Sequence, residues 1–173
     1  MWTLSTASSS TGGGYSISGD NANGYLFGGL AWELYAAVKI PTLSDGTETF
    51  AARIGFGDNV SGDHTDGAYF QHDNSTTNWI GKTANNSSRT TASGGSSVGV
   101  TAGWNYLRIS VASDGSLVTF YVWSGGAWVS IGTSSTNIPT VAGREFSFVA
   151  TIVKSAGTTA RTLSLDVVDI FAY

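Results

Sequence analysis

From Tyr15 onward, short apolar runs alternate with turn-forming residues every eight to twelve positions, the spacing of strands in a sandwich or barrel. No stretch of ten residues carries the apolar period of an amphipathic helix. The pattern predicts eleven strands: Tyr15 to Ser18, Gly24 to Phe27, Trp32 to Ile40, Thr49 to Phe56, Ala68 to Asp73, Trp79 to Thr83, Tyr106 to Ala112, Leu117 to Trp123, Ala127 to Ile131, Arg144 to Val153 and Thr162 to Phe171. That number implies two stacked sheets rather than one flat sheet. Trp2 and Leu4 suggest a short strand ahead of these, and the polar stretch from Ala84 to Gly99 leaves room for a weak one around Arg89 to Ala92. The expectation is therefore an all-β, two-sheet antiparallel β-sandwich forming one domain over residues 1–173, with residues 1–14 in part loop or linker.

Two turn signals set a register. Centring a two-residue turn on Asp114-Gly115 pairs Val111 with Val118, Ile109 with Phe120 and Leu107 with Val122, all apolar. Side chains alternate strictly along a strand, so the other face receives Arg108 opposite Tyr121 and Tyr106 opposite Trp123. A second hairpin at Gly125-Gly126 adds Trp128 opposite Trp123 and turns Val122, Val129 and Ile131 inward. One face is core. The other carries Tyr106, Arg108, Tyr121, Trp123 and Trp128.

Composition narrows the function. Charged residues make up 12% of the 173 positions, about half the usual share, and polarity comes instead from Ser, Thr, Asn and Gly, which suit pleated surfaces and tight turns. The net charge is -4 and no basic run occurs, which argues against nucleic acid as a partner because phosphate contacts need clustered Lys and Arg. Without cysteine, neither a disulfide nor a thiolate zinc site is available. No apolar run of 18 residues suggests membrane insertion, and the N-terminus lacks the charged-then-apolar order of a signal peptide.

Several stretches resemble a pattern seen in tail-fibre, tail-spike and other virion surface proteins of bacteriophages. They are Asp66-Gly67-Ala68-Tyr69-Phe70, Gly103-Trp104-Asn105-Tyr106-Leu107-Arg108-Ile109, Val118-Thr119-Phe120-Tyr121-Val122, Asn137-Ile138-Pro139-Thr140, and the run from Lys154 to Leu163 leading into Asp166-Val167-Val168. The resemblance covers roughly the last two thirds of the chain. The Trp-x-x-Leu-Arg-Ile strand, the Asp-Gly turn and the Phe-Tyr-Val strand are also similar to laminin-G-like and concanavalin-like lectin modules, and they imply a concanavalin-like jelly roll. Where such strands usually end in Val-Asn-Gly or Val-Asp-Gly, this chain has Val122-Trp123-Ser124-Gly125-Gly126, which lengthens the hairpin and adds a tryptophan. The resemblance implies a non-catalytic module on a virion surface that binds a cell-surface glycan or another host-surface feature. The alternative is a structural virion protein, a capsid decoration or fibre subunit, whose aromatic face makes protein contacts. Homo-oligomers, trimers above all, are implied by the same likeness.

Candidate residues follow from side-chain chemistry. Flat rings stack on the C-H faces of sugars, and Tyr and Trp add a hydrogen-bonding tip, so Tyr106, Arg108, Tyr121, Trp123 and Trp128 are the first ligand-binding candidates. The competing role for the same face is packing against another surface. Tyr69, His72 and Trp79 flank the loop from Asp73 to Asn78, whose amides and hydroxyls could read sugar hydroxyls or could be ordinary turn chemistry. Asp58, Asp63 and Asp66 fall within nine positions and offer oxygens to calcium, although their spacing departs from an EF-hand; no other cofactor is indicated. The enzyme reading, a polysaccharide depolymerase, comes third: the acidic strand of sandwich glycosidases is absent, and His64 or His72 with Tyr69 is the remaining proton-carrying set.

Overall fold

The computed structural model describes residues 1–8, 12–17 and 24–173. Two antiparallel sheets face each other. The seven-stranded sheet runs in the order β1 (Trp2–Ser5), β13 (Thr162–Ala172), β3 (Trp32–Ile40), β9 (Gly103–Val111), β10 (Val118–Ser124), β11 (Ala127–Ser134) and β8 (Ser93–Gly94). The six-stranded sheet runs β2 (Gly12–Ile17), β12 (Ser147–Lys154), β4 (Phe50–Gly57), β5 (Gly67–His72), β6 (Ile80–Asn85) and β7 (Ser88–Thr91). This is the two-sheet sandwich that the strand spacing predicts, with more strands than the eleven expected.

Alternation builds the core. Leu34, Ala36, Val38 and Ile40 of β3, Leu107, Ile109 and Val111 of β9, and Val118, Phe120 and Val122 of β10 point inward and are buried. They meet Phe50, Ala52, Ile54 and Phe56 of β4, Ala68 and Phe70 of β5, and Phe148, Ala150 and Ile152 of β12. Phe70 and Phe120 meet edge to face across the sheets, centroids 5.4 Å apart. Each fully buried ring of this kind stabilises the fold by about 1.5–3 kcal/mol.

The Asp114-Gly115 hairpin has the predicted register, with Val118, Phe120, Tyr121 and Val122 opposite Val111, Ile109, Arg108 and Leu107. Trp123 likewise faces Trp128. Beyond that pair the ladder slips: Tyr121 faces Ser130 but Phe120 faces Gly132, leaving Ile131 as the extra residue of a bulge. The strand therefore runs past the expected Ile131 to Ser134. Two other expectations are corrected. Gly24 to Phe27 is no strand, because Tyr25 makes only an isolated bridge to Phe146, and β12 starts at Ser147 rather than Arg144. The end of the expected strand Tyr15 to Ser18, and Ser9 to Thr11 of the expected linker, lie outside the described residues.

Candidate functional site

The outer face of the seven-stranded sheet gathers the first set of candidates. Cα pairing places Tyr35 beside Arg108 and Arg108 beside Tyr121, so the guanidinium lies between two phenol rings, 5.5 Å from the Tyr35 centroid and 4.8 Å from that of Tyr121. Glu33, two residues before Tyr35, holds the same guanidinium through two bonds, Nε to Oε2 at 2.7 Å and Nη2 to Oε1 at 2.9 Å. This fork also raises the Arg108 pKa. Burial, then the Glu33 carboxylate, holds the Tyr35 phenol above its ordinary value.

Aromatic rings extend from that centre. Trp128 meets Trp123 edge to face at 5.4 Å and Tyr35 at 5.8 Å, and Tyr35 meets Phe171 at 6.2 Å. Tyr106, Trp123 and Trp128 line an open cavity of about 190 Å³; Tyr106 is 47% and Trp123 43% exposed. A neighbouring cavity of about 150 Å³ is bounded by Tyr35, Ala36, Ala37, Tyr106, Leu107, Trp128 and Val167. All five predicted residues of this face thus lie together. Glu33, Tyr35, Val167 and Phe171 join them without having been singled out. Alternation in Trp32 to Ile40 would have put Glu33 and Tyr35 on a common face, but it could not tell which strand lies beside it.

The second set is dispersed. Trp79 is a core residue, 3% exposed, its indole Nε1 donating to Asn105 Oδ1 at 3.2 Å and its ring against the edge of Phe70. Tyr69 points away from the core yet is fully buried, its ring against His64 and its hydroxyl donating to Asp63 Oδ1 at 2.6 Å. Tyr69 is not placed to meet a ligand, which corrects the expectation for it; Trp79 is chiefly a core residue and only borders a hollow of about 210 Å³ beside Thr76 and Asn78. His72 points inward and is buried, and its Nε2 accepts from the Ser44 N-H at 3.3 Å. It nevertheless helps line a cavity of about 410 Å³ with Leu43, Ser44, Asn74, Ser75, Thr76 and Thr77, so the polar loop sits at a pocket that His72 borders and Tyr69 does not.

The carboxylates proposed for calcium are separately engaged. Asp58 accepts from the Thr65 N-H at 2.8 Å, and Asp66 accepts from the Asn86 N-H at 2.7 Å and from Arg144 at 3.4 Å. Asp63 lies within 4 Å of three cations, Arg53 at 3.1 Å, Arg89 at 3.3 Å and Lys82 at 3.8 Å. Burial opposes its ionisation, but the Tyr69 hydroxyl and the three positive charges outweigh that and hold the carboxyl below its ordinary value. A carboxylate so surrounded repels a further cation. No group of three or more His, Asp or Glu among the described residues is placed to hold a metal, and these residues do not fit calcium.

His64 and Tyr69 are likewise sealed. The His64 ring meets Tyr69 at 4.5 Å and has no exposed side-chain surface. Burial, reinforced by Arg53, pushes its imidazole down to about 3. Burial and the bond to Asp63 raise the Tyr69 phenol. Neither group can exchange a proton with a substrate in this arrangement.

The fold is a two-sheet antiparallel β-sandwich with an open aromatic face on its seven-stranded sheet. Residues 3–166 match the family described as SO2946-like, C-terminal domain, and the chain belongs to that family. No curated protein matches it. Among solved structures it is similar to the carbohydrate-binding module CBM66 from Bacillus subtilis, with TM-score 0.51 and 11% identity over 94% of this chain and 83% of that one. It is also similar to a legume lectin-like domain from Entamoeba histolytica, with TM-score 0.54 and 9% identity over 92% and 76%. A third likeness is to botulinum neurotoxin type C, whose cell entry depends on interaction with two ganglioside molecules. There the TM-score is 0.57 and the identity 10%, over 98% of this chain and 38% of that one. At such identities the likeness is one of fold.

Proposed function

We propose that this chain is a non-catalytic glycan-binding module and that the outer face of the seven-stranded sheet is its binding surface. The cavity that exposes Tyr106, Trp123 and Trp128 carries the reading, because open rings beside a hydrogen-bonding Glu33/Arg108 pair supply both the stacking and the polar contacts a pyranose uses. Sandwich neighbours that include a carbohydrate-binding module and a lectin-like domain support it. We extend this proposal to display on a virion surface, which the resemblance to phage tail and virion proteins suggests and where repetition would multiply a weak site.

A second reading, contact with other virion proteins or with copies of this chain, is favoured by Phe171 and Val167, which continue the same face and are exposed. A glycan array probed with wild type and with the double variant Trp123→Ala, Trp128→Ala separates the two. Glycan binding that the double variant loses supports the first. A stable oligomer in light scattering, dissociated by the same substitutions and accompanied by no glycan binding, replaces it with the second.

A further inference from the structure

The opposite side of the molecule carries a different kind of surface. On the outer face of the six-stranded sheet, Arg53 of β4 lies across from Gln71 of β5, and Tyr69 lies across from Lys82 of β6. Arg53 Nε donates to Asp63 Oδ1 and to Gln71 Oε1, both at 3.1 Å. Lys82 Nζ donates to the same Gln71 oxygen at 3.1 Å. Gln71 in turn donates to Asp73, whose other oxygen is taken by the amide and hydroxyl of Ser75. One connected network therefore joins Arg53, Lys82 and Arg89 to Asp63 and Asp73, leaving one positive charge over in a chain whose net charge is -4.

That surplus has a free end. Arg53 uses only Nε within the protein; its terminal Nη1 and Nη2 make no hydrogen bond among the described residues. Neither is among the sealed side-chain atoms without a partner, so the fork is open to solvent although the side chain as a whole is only 11% exposed. Arg53 lines a groove of about 310 Å³ with Thr49, Asp73, Asn74, Ser75 and Ser155 among its walls, the Asp73 carboxylate being taken up by Gln71 and Ser75. Asn74 and Ser75 also border the 410 Å³ cavity beside His72, so the two hollows adjoin. A guanidinium anchored through Nε presents its two remaining nitrogens in the planar geometry that pairs with a carboxylate. Hydroxyl and amide groups around it suit the hydroxyls of a sugar ring.

We infer that this groove is a second binding site, in which the Arg53 fork takes the carboxylate of an acidic sugar while Asn74 and Ser75 meet its hydroxyls. The inference rests on the glycan reading for the class of ligand but not on the aromatic face, which lies on the other sheet. The anchoring of Arg53 by Asp63 and Gln71 means that its charge is already positioned before a ligand arrives, so little side-chain freedom is lost on binding.

The test uses trigalacturonate as a uronate probe, its fully methyl-esterified form as a neutral control, and sodium acetate as a bare anion, titrated by nuclear magnetic resonance at low salt. Wild type is expected to bind the uronate in preference to ester and acetate. Arg53→Lys, which keeps the charge and loses the fork, and Arg53→Gln should both weaken binding about tenfold or more. Trp123→Ala should leave uronate binding unchanged, and raised salt should weaken it. Thermal melts establish that the variants are folded, with Arg53→Lys keeping a charge for Asp63 should the Gln variant not fold. Uronate binding that survives both Arg53 substitutions overturns the inference. So does a wild type that binds acetate as well as the trimer, or one that binds neutral oligosaccharides through Trp123 and no uronate. That last result leaves the aromatic-face reading standing, whereas uronate binding without neutral binding removes the aromatic face alone.

Discussion

Lys154 Nζ lies 2.9 Å from Glu48 Oε2, with the lysine side chain fully buried. The ammonium also donates to the Ser8 and Thr159 carbonyls at 3.1 and 2.7 Å, and Glu48 Oε1 accepts the Thr158 and Thr159 N-H groups at 2.9 Å. Gly157, at φ +97°, passes so close that a Cβ would overlap the carboxylate. The run from Lys154 to Leu163, the most distinctive piece of the resemblance to virion proteins, thus joins the end of β12 to the start of β13 around a buried ion pair. Removing one partner strands the other charge. Lys154→Met is expected to lower the melting temperature by roughly 5 °C or more, and Gly157→Ala to lower it as well; a scanning calorimeter measures both.

The same pair sets an acid limit. The bond from Lys154 is the largest of the effects that hold Glu48 down to about 2, against an ordinary 4.5. In the unfolded chain the carboxyl takes up its proton near 4.5, so its contribution to stability is complete above that pH and is lost as pH falls toward 2. Glu48→Gln removes this dependence. Urea denaturation between pH 5 and 2.5 should show the gap between wild type and Glu48→Gln closing as the solution is acidified. A gap that stays constant would mean the carboxylate titrates alike in both states.

The histidines act in a higher window. His64, pushed down to about 3 from 6.5 by burial and then by Arg53, binds its proton far more readily unfolded than folded. Its depressed value makes the neutral form the folded one, so stability is complete above pH 6.5 and falls as the pH drops toward 3. His72 is lowered by burial in the same direction. Between pH 6.5 and 5, before carboxylates titrate, His64 alone should cost about 2 kcal/mol of unfolding free energy. Proton resonance of the His64 ring should stay at its neutral position down to about pH 4. Titration near 6.5 would show that the ring is reached by water.

How much of this was legible in the sequence depends on whether the neighbours were close in the chain. Asp114-Gly115 joins adjacent strands, so the pairs Val111/Val118 and Arg108/Tyr121 could be read from one turn and strict alternation. Glu33 and Arg108 stand 75 positions apart, and nothing local says that β3 lies beside β9. Alternation also misleads where something folds over a sheet. All six residues of β5 are buried, because on the side that alternation marks as outward Asp63 and His64 lie over Tyr69 while Arg53, Lys82 and Asp73 close around Gln71. The charges on that loop looked like calcium ligands, and only the arrival of Arg53, Lys82 and Arg89 from three other strands shows that Asp63 already has its cations.

Gly81 tests the packing of the sandwich itself. It sits on β6 facing inward opposite Phe70, and a Cβ there would run into the Phe120 ring. Phe120 is wedged edge to face against Phe70 and has no room to retreat. Gly81→Ala should destabilise by about 1–3 kcal/mol, the usual cost of overpacking. Gly126→Ser at the hairpin tip meets no atom within 4 Å but stands at φ +86°, so its smaller cost would come from backbone strain alone. Chemical denaturation of both variants should rank Gly81→Ala as the more damaging.

Trp128 separates stacking from support on the aromatic face. It touches Trp123 on one side and Tyr35 on the other and is shared by both cavities of that face, whereas Trp123 borders only the first. If rings of this face stack on a sugar, Trp123→Ala removes one stacking surface, while Trp128→Ala also releases Trp123 and Tyr35 from their positions. The two substitutions should weaken neutral-oligosaccharide binding by about tenfold and by more than tenfold, respectively. Because Trp123 is 43% exposed, its removal should leave the melting temperature nearly unchanged, and the more buried Trp128 should show a measurable drop. Calorimetric titration beside thermal melts reads both quantities. Binding that follows the loss of stability across the two variants, rather than the loss of ring surface, would make the aromatic cluster packing rather than a site.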